Sequence, residues 1–344
     1  MRIKASPDDF LVEEIPAYEP SGEGEHVYVR FTKRGLNTDD AVRALCKATG
    51  ANAREAGVAG LKDKVGVTTQ TISLFLPIRV HPDAEAKIRA LEIPNLKIDD
   101  VKRHGNKLKT GHLRGNRFTV FVREIPPELQ PEIEKRLTRI GQEGIPNYFG
   151  TQRFGRGGQN PEQARAWLSG KGEGPRDPKM KRFLFSALQS EAFNFVLKKR
   201  VESGTWNRAL VGDVLQKTES GGLFTCADPA LDQPRIDSGE VSPTGPLFGP
   251  KMRAAEGEAL ALEEEARALC MGEVDWNRAR NLGDGTRRSL RVLVGALRFF
   301  TEEAGSLRVE FVLPKGAYAT AVISAVIDGM EVPEEPESSS AIGA

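Results

Sequence analysis

No stretch of the 344-residue chain approaches eighteen consecutive apolar residues, so no segment reads as a membrane-spanning helix. Residues 1–14, MRIKASPDDFLVEE, carry charges where a secretory leader would carry its apolar core, and a cytoplasmic location is expected. Cysteine is scarce. Cys46, Cys226 and Cys270 stand far apart with no CxxC pair, which argues against a disulfide framework and a zinc ribbon and leaves them as expected buried thiols. The four histidines (His26, His81, His104, His112) form no HExxH and no close pair beside a carboxylate, so no metal is expected. Walker and GxGxxG patterns, a GxSxG elbow, a Ser-His-Asp set and paired carboxylates are all missing, and with them the usual basis for nucleotide hydrolysis or hydrolase chemistry. Coiled-coil heptads are absent too, and a monomer is expected.

What is present is a globular composition, 39% hydrophobic and 28% charged, in a chain long enough for two domains. Forty-nine basic and forty-eight acidic residues nearly cancel, but they are segregated. Residues 102–117, KRHGNKLKTGHLRGNR, hold six Lys or Arg and no acid, while acids gather at 256–265 and 331–337. Lys102, Arg103, Lys107, Lys109 and Arg114 of this tract are candidate phosphate contacts, since neutralising phosphates releases their counterions. The same tract also reads as a solvated hairpin whose lysines guard an edge strand.

HVYVRFTKRG alternates with period two, and NTDDAVRALCKATG reads as a helix capped by Asn37 or Thr38 and stopped by Gly50. TTQTISLFLP and RFTVFVREI are strand candidates, and PPELQPEIEKRLTRIGQEG an amphipathic helix. From 157 to 285 the pattern becomes helical, in NPEQARAWLSG, FLFSALQSEAFNFVLKKRVESG and EGEALALEEEARALC, with 226–250 expected as a Pro/Gly/Ser/Asp-rich connection. Strand character returns in RSLRVLVGALRFF and SLRVEFVLP, before a closing helix in YATAVISAVIDG. The expected class is therefore α+β with a mixed or antiparallel sheet: one domain from 1–156 and 286–331, an insertion at 157–285, and a disordered tail at 332–344.

Three stretches carry residues suited to chemistry. In AGLKDKVGVTTQ, Asp63 lies between Lys62 and Lys64 in a loop flanked by Gly60 and Gly66; a carboxylate of reference pKa about 3.9 is ionised at neutral pH and can serve as nucleophile or base, or simply as a charged turn. IPNYFGTQRFGRGG mixes Tyr148, Phe149 and Phe154 with Gln152, Arg153 and Arg156, the blend that stacks bases and grips phosphates, and Asn147 offers an amide to a base edge. GDGTRRSLRVLVGALRFF repeats Arg287, Arg288, Arg291 and Arg298 along an apolar alternation, as a strand presenting guanidinium groups would.

Together these stretches resemble the TruD family of tRNA pseudouridine synthases. The resemblance runs from IKASPDDFLVEEIPAYEPSGEGEHVYVRFTKRGLNT through AGLKDKVGVTTQ, NYFGTQRFG and GTRRSLRV to LPKGAYAT. It implies a pseudouridine-synthase fold with a mixed, largely antiparallel sheet, interrupted by an inserted α+β domain. The implied activity is isomerisation of uridine 13 in the D arm of tRNA, with no cofactor or metal. Asp63 occupies the family's catalytic aspartate position. Lys4, Phe10, Lys62, Asn147 and Phe149 match positions lining its active site, and Tyr318 stands where its last motif carries an aromatic. Arg153, Arg287 and Arg288 join the basic tract as candidate tRNA-backbone contacts. Gly66 and Ser289 depart from the more usual alanine at points away from the proposed chemistry. Asp63 could attack C1′, attack C6, or assist deprotonation at C2′, and Lys4 or Lys62 could hold it in position.

Overall fold

The computed structural model of the chain describes residues 1–303 and 305–327; the tail expected at 332–344 lies outside them. The chain runs through β1 (Phe10–Pro16), β2 (His26–Arg34), α1 (Thr38–Thr49), β3 (Gly57–Val58), β4 (Val67–Phe75), α2 (Ala84–Arg89), β5 (Leu96–His104), β6 (Leu113–Val122) and α3 (Gln130–Glu143). It continues as β7 (Ile145–Pro146), α4 (Asn160–Leu168), α5 (Pro178–Glu202), β8 (Val214–Lys217), β9 (Leu223–Thr225), α6 (Pro229–Asp237), β10 (Val241–Leu247), α7 (Gly257–Ala266), α8 (Trp276–Ala279), β11 (Thr286–Ser289) and β12 (Arg291–Val292). It ends in β13 (Gly295–Thr301), β14 (Leu307–Pro314) and α9 (Ala319–Val326). Two units result: Met1–Gly141 with the chain from Val294 onward, and Gln142–Leu293.

The first unit is built on a mixed sheet in the order β13-β14-β6-β1-β4-β2-β5, with β3 hydrogen-bonded to β4. β1 and β4 run parallel and the other pairs antiparallel, as in the α+β class expected. The period-two pattern of β2 puts Val27, Val29 and Phe31 on one face, where they pack with Ile72 and Leu74 of β4 and Ala41 and Leu45 of α1. α1 starts where read: Asn37 accepts a hydrogen bond from the Asp40 N–H, and Gly50 closes the helix at φ 76°.

The second unit has its own cores, and all three tryptophans of the chain, Trp167, Trp206 and Trp276, belong to them. Its strands order as β11-β10-β8-β9, and α5 supplies the fully buried Phe185, Leu188, Phe193 and Leu197. The stretch expected as an irregular connection instead contains α6 and β10. Asp228 caps α6 by accepting from the Ala230 N–H. β10 tolerates Pro243 and Pro246 because residues 241–243 pair with β8 and residues 244–247 with β11, leaving each half one laddered edge. The expected boundaries also shift. β7 pairs with β12, Ile145 opposite Val292 and Pro146 opposite Arg291, so residues 142–156 and 286–293 belong with the second unit.

Candidate active site

Asp63 lies in the loop between β3 and β4, 59% of its side chain exposed. Gly66 turns the chain from this loop into β4 at φ 130°, and a Cβ there would lie 2.6 Å from the Phe10 carbonyl oxygen, so the site needs glycine on two counts. Lys4 approaches from the N-terminal segment. Its side chain is 7% exposed, and Nζ stands 4.0 Å from Asp63 Oδ2 and 4.3 Å from the centre of the Phe10 ring. Reciprocal backbone hydrogen bonds of 2.9 Å between Arg2 and Arg123 pin that segment to the end of β6, and Lys4 itself takes a left-handed φ of 54°.

Lys62 is placed differently from its neighbour. Its N–H donates to Thr38 Oγ1 at 2.9 Å, and its ammonium donates to Glu14 Oε2 at 3.0 Å, with 8% and 2% of the two side chains exposed. The other Glu14 oxygen accepts from the Thr71 N–H. Lys62 is thus held by Glu14, and Lys4 is the lysine at the carboxylate.

Lys4, Phe10, Lys62, Asp63, Asn116 and Tyr318 share the wall of one cavity of about 440 Å³. Phe118 backs it, 6.1 Å from Phe10 and stacked on Phe311. The cavity therefore offers an aromatic surface for a planar base with a carboxylate and an ammonium at one side. Among the described residues no three His, Cys, Asp or Glu side chains gather as a metal site.

Asn147 and Phe149 belong to the second unit, where their geometry is tightly specified. The Asn147 amide donates to the Ser289 carbonyl at 2.8 Å and accepts from Arg288 at 2.6 Å. Phe149 exchanges two backbone hydrogen bonds with the Asn194 amide and packs edge-on against Phe193. The Arg288 guanidinium sits 4.1 Å over the Phe149 ring.

A family model described as tRNA pseudouridine synthase D (TruD) matches residues 1–162 and 176–326. The chain belongs to the TruD family. A tRNA pseudouridine synthase D of Anaeromyxobacter sp. (strain Fw109-5) is 44% identical over 97% of this chain and 95% of its own length. One of Thermus thermophilus is 40% identical over 97% and 92%. A crystal structure given the same protein name, from Methanosarcina mazei, shares the fold at a TM-score of 0.79 and 24% identity, covering 94% of this chain and 93% of that one.

Within this TruD chain the basic candidates divide by burial. Lys109 and Arg114 are exposed, Lys102 pairs with Asp100 at its surface, and Lys107 donates to the Arg54 carbonyl. Arg153 lies over the Phe149 and Phe183 rings. Two candidates are corrected. Arg103 is buried against Glu85 and the carbonyls of Gly24, Leu76 and His81, and Arg287 is fully buried in a bidentate pair with Glu263, so both guanidinium groups are structural. Arg288 orients Asn147.

Three polar residues of the site were not singled out from sequence: Glu14, Lys33 and Asn116. Lys33 is fully buried, and its Nζ donates to the Leu36 carbonyl at 2.6 Å and the Asp63 carbonyl at 2.7 Å. Asn116 Oδ1 is buried with no hydrogen-bond partner among the described residues. A usable signal existed. In FLVEE, Glu14 falls in phase with Phe10 and Val12; in HVYVRFTKR, Lys33 falls in phase with Val29 and Phe31; and Asn116 shares the phase of Phe118 and Val120.

Proposed function

We propose that the chain isomerises uridine 13 in the D arm of tRNA to pseudouridine, with Asp63 as the catalytic carboxylate. The reaction breaks N1–C1′ and forms C5–C1′; a proton leaves C5 and one is gained at N1, so the atoms balance without an oxidant or reductant. The observation that carries the reading is the single cavity in which Asp63, Lys4 and Phe10 meet. Its size lies in the roughly 300–1,000 Å³ range of small-molecule sites. The target base enters it flipped from the folded RNA, at a cost of a few kcal/mol that stacking and backbone contacts offset.

In this scheme Asp63 faces the ribose, where an anion stabilises positive charge developing at C1′ or forms a covalent bond. Phe10 holds the detached uracil through its face while the ring rotates, and a ring without a hydroxyl does not compete for the base's hydrogen bonds. Lys4 fixes the carboxylate's direction. Lys102, Lys107, Lys109, Arg114 and Arg153 meet the tRNA backbone.

The test is pseudouridine formation at each uridine of an unmodified tRNA transcript, comparing wild type with Asp63→Asn at matched tRNA binding. Conversion of one D-arm uridine by wild type and background conversion by the variant is the expected result. Full activity in the variant overturns the role of Asp63, and conversion at another position overturns the site assignment.

A further inference from the structure

Lys33 lies beneath the site and forms no part of the cavity wall. It occupies the apolar face of β2, in line with Val27, Val29 and Phe31, at 0% exposure. An ammonium is costly to withdraw from water, so a lysine in that position requires polar partners, and the two it has are both backbone carbonyls. One, Leu36, belongs to the turn between β2 and α1. The other is that of Asp63 itself. The same turn holds the Asp63 loop at two more points, through the Lys62 N–H on Thr38 Oγ1 at 2.9 Å and the Gly35 N–H on the Gly66 carbonyl at 3.4 Å.

We infer that Lys33 is a positioning residue for Asp63: its ammonium clasps the Asp63 carbonyl to an interior strand of the sheet and so fixes where the carboxylate stands. This rests on the proposed catalytic role of Asp63. The loop from 59 to 66 is irregular, so its carbonyls lack the laddered donors of a strand. Lys33 supplies one from a rigid base, because β2 is an interior strand, with Lys33 paired to Thr68 of β4 and Leu96 of β5. A charged donor also makes a stronger bond than a neutral one.

Burial pushes the Lys33 ammonium down to about 8; the Asp63 charge opposes this and the Lys62 charge adds to it. Those two groups come from the β3–β4 loop, while Thr68, Leu96, Leu36 and Thr38, its neighbours from β4, β5 and the α1 turn, are uncharged. Raising the pH through that value neutralises the ammonium and weakens both bonds. Chemistry should then slow while tRNA binding is kept.

The experiment measures single-turnover pseudouridine formation and tRNA affinity from about pH 6.5 to 9 for wild type, Lys33→Met, Lys33→Gln and Asp63→Ala. The expected wild-type rate falls on the alkaline side near pH 8. Lys33→Met should bind tRNA within about twofold of wild type, lose on the order of a hundredfold in rate at neutral pH, and show no alkaline limb of its own near that pH. Lys33→Gln, which keeps an uncharged donor, should recover part of the rate with the same flat profile. A wild-type rate in Lys33→Met, an unchanged alkaline limb, or affinity lost in parallel with rate overturns the inference. Where Lys33→Met does not fold, the wild-type and Lys33→Gln profiles decide, and a wild-type rate flat across the range overturns it. An active Asp63→Ala defeats the reading of Asp63 itself; an inactive Asp63→Ala beside a fully active Lys33→Met defeats only the role of Lys33.

Discussion

The Lys62–Glu14 pair shows how much a single buried charge constrains its surroundings. Both side chains are almost fully withdrawn from water, and Glu14 is completed by the Thr71 N–H. Removing one partner leaves the other buried and uncompensated, which costs roughly 3–5 kcal/mol, whereas removing both charges costs much less. Lys62→Met should therefore lower the urea midpoint sharply, and adding Glu14→Gln to it should restore most of the loss; equal midpoints for the single and double variants would contradict this. The same residue explains a gap between sequence and structure. Adjacent letters in GLKDK make Lys62 and Asp63 look like partners, yet the backbone turns between them, and the lysine at the carboxylate is Lys4, fifty-nine positions away. Glu14, Lys33 and Asn116 were hidden for the opposite reason: each is a polar residue on the buried phase of a strand, legible as such but easily taken for an interruption of the pattern.

Elements with strong local signals were the legible ones. β2, α1 and β4 lie where alternation, caps and glycines put them, and α5 begins at Pro178, five residues before the stretch read as helical, while α6 and β10 were concealed by prolines, which in β10 the pairing geometry accommodates. The short 3₁₀ turn Pro7–Asp9 that leads into β1 was likewise unmarked by periodicity, and it is held electrostatically. Burial pushes the Asp9 carboxyl up, but the Arg123 guanidinium and the Ser6 N–H outweigh that and hold it below its ordinary value of 3.8. A depressed carboxylate contributes stability that is fully present above the unfolded-state value and is lost as pH falls through the folded one. Wild type and Asp9→Asn should thus differ in Tm at neutral pH and converge as the pH falls below the ordinary carboxylate value and through the folded one; a constant gap between the two Tm curves would show that Asp9 contributes through packing instead.

On the scale of the molecule, the first unit is discontinuous and the second is not. Sequence composition indicated an insertion, but the β7–β12 pairing that sets its limits joins residues nearly 150 apart, beyond the reach of any local pattern. Because the second unit has cores of its own, residues 142–293 expressed alone should unfold cooperatively, and its three tryptophans supply the fluorescence signal; a broad, non-cooperative melt would count against it. The first unit has no such independence during synthesis. As the chain leaves the ribosome from its N-terminus, β6 appears with one edge open and waits for β14 until nearly two hundred further residues have been made. Tyr318, which lines the cavity around Asp63, arrives later still. A half-made chain therefore carries an exposed strand edge and an incomplete pocket, and the continuous second unit is the part that can finish first.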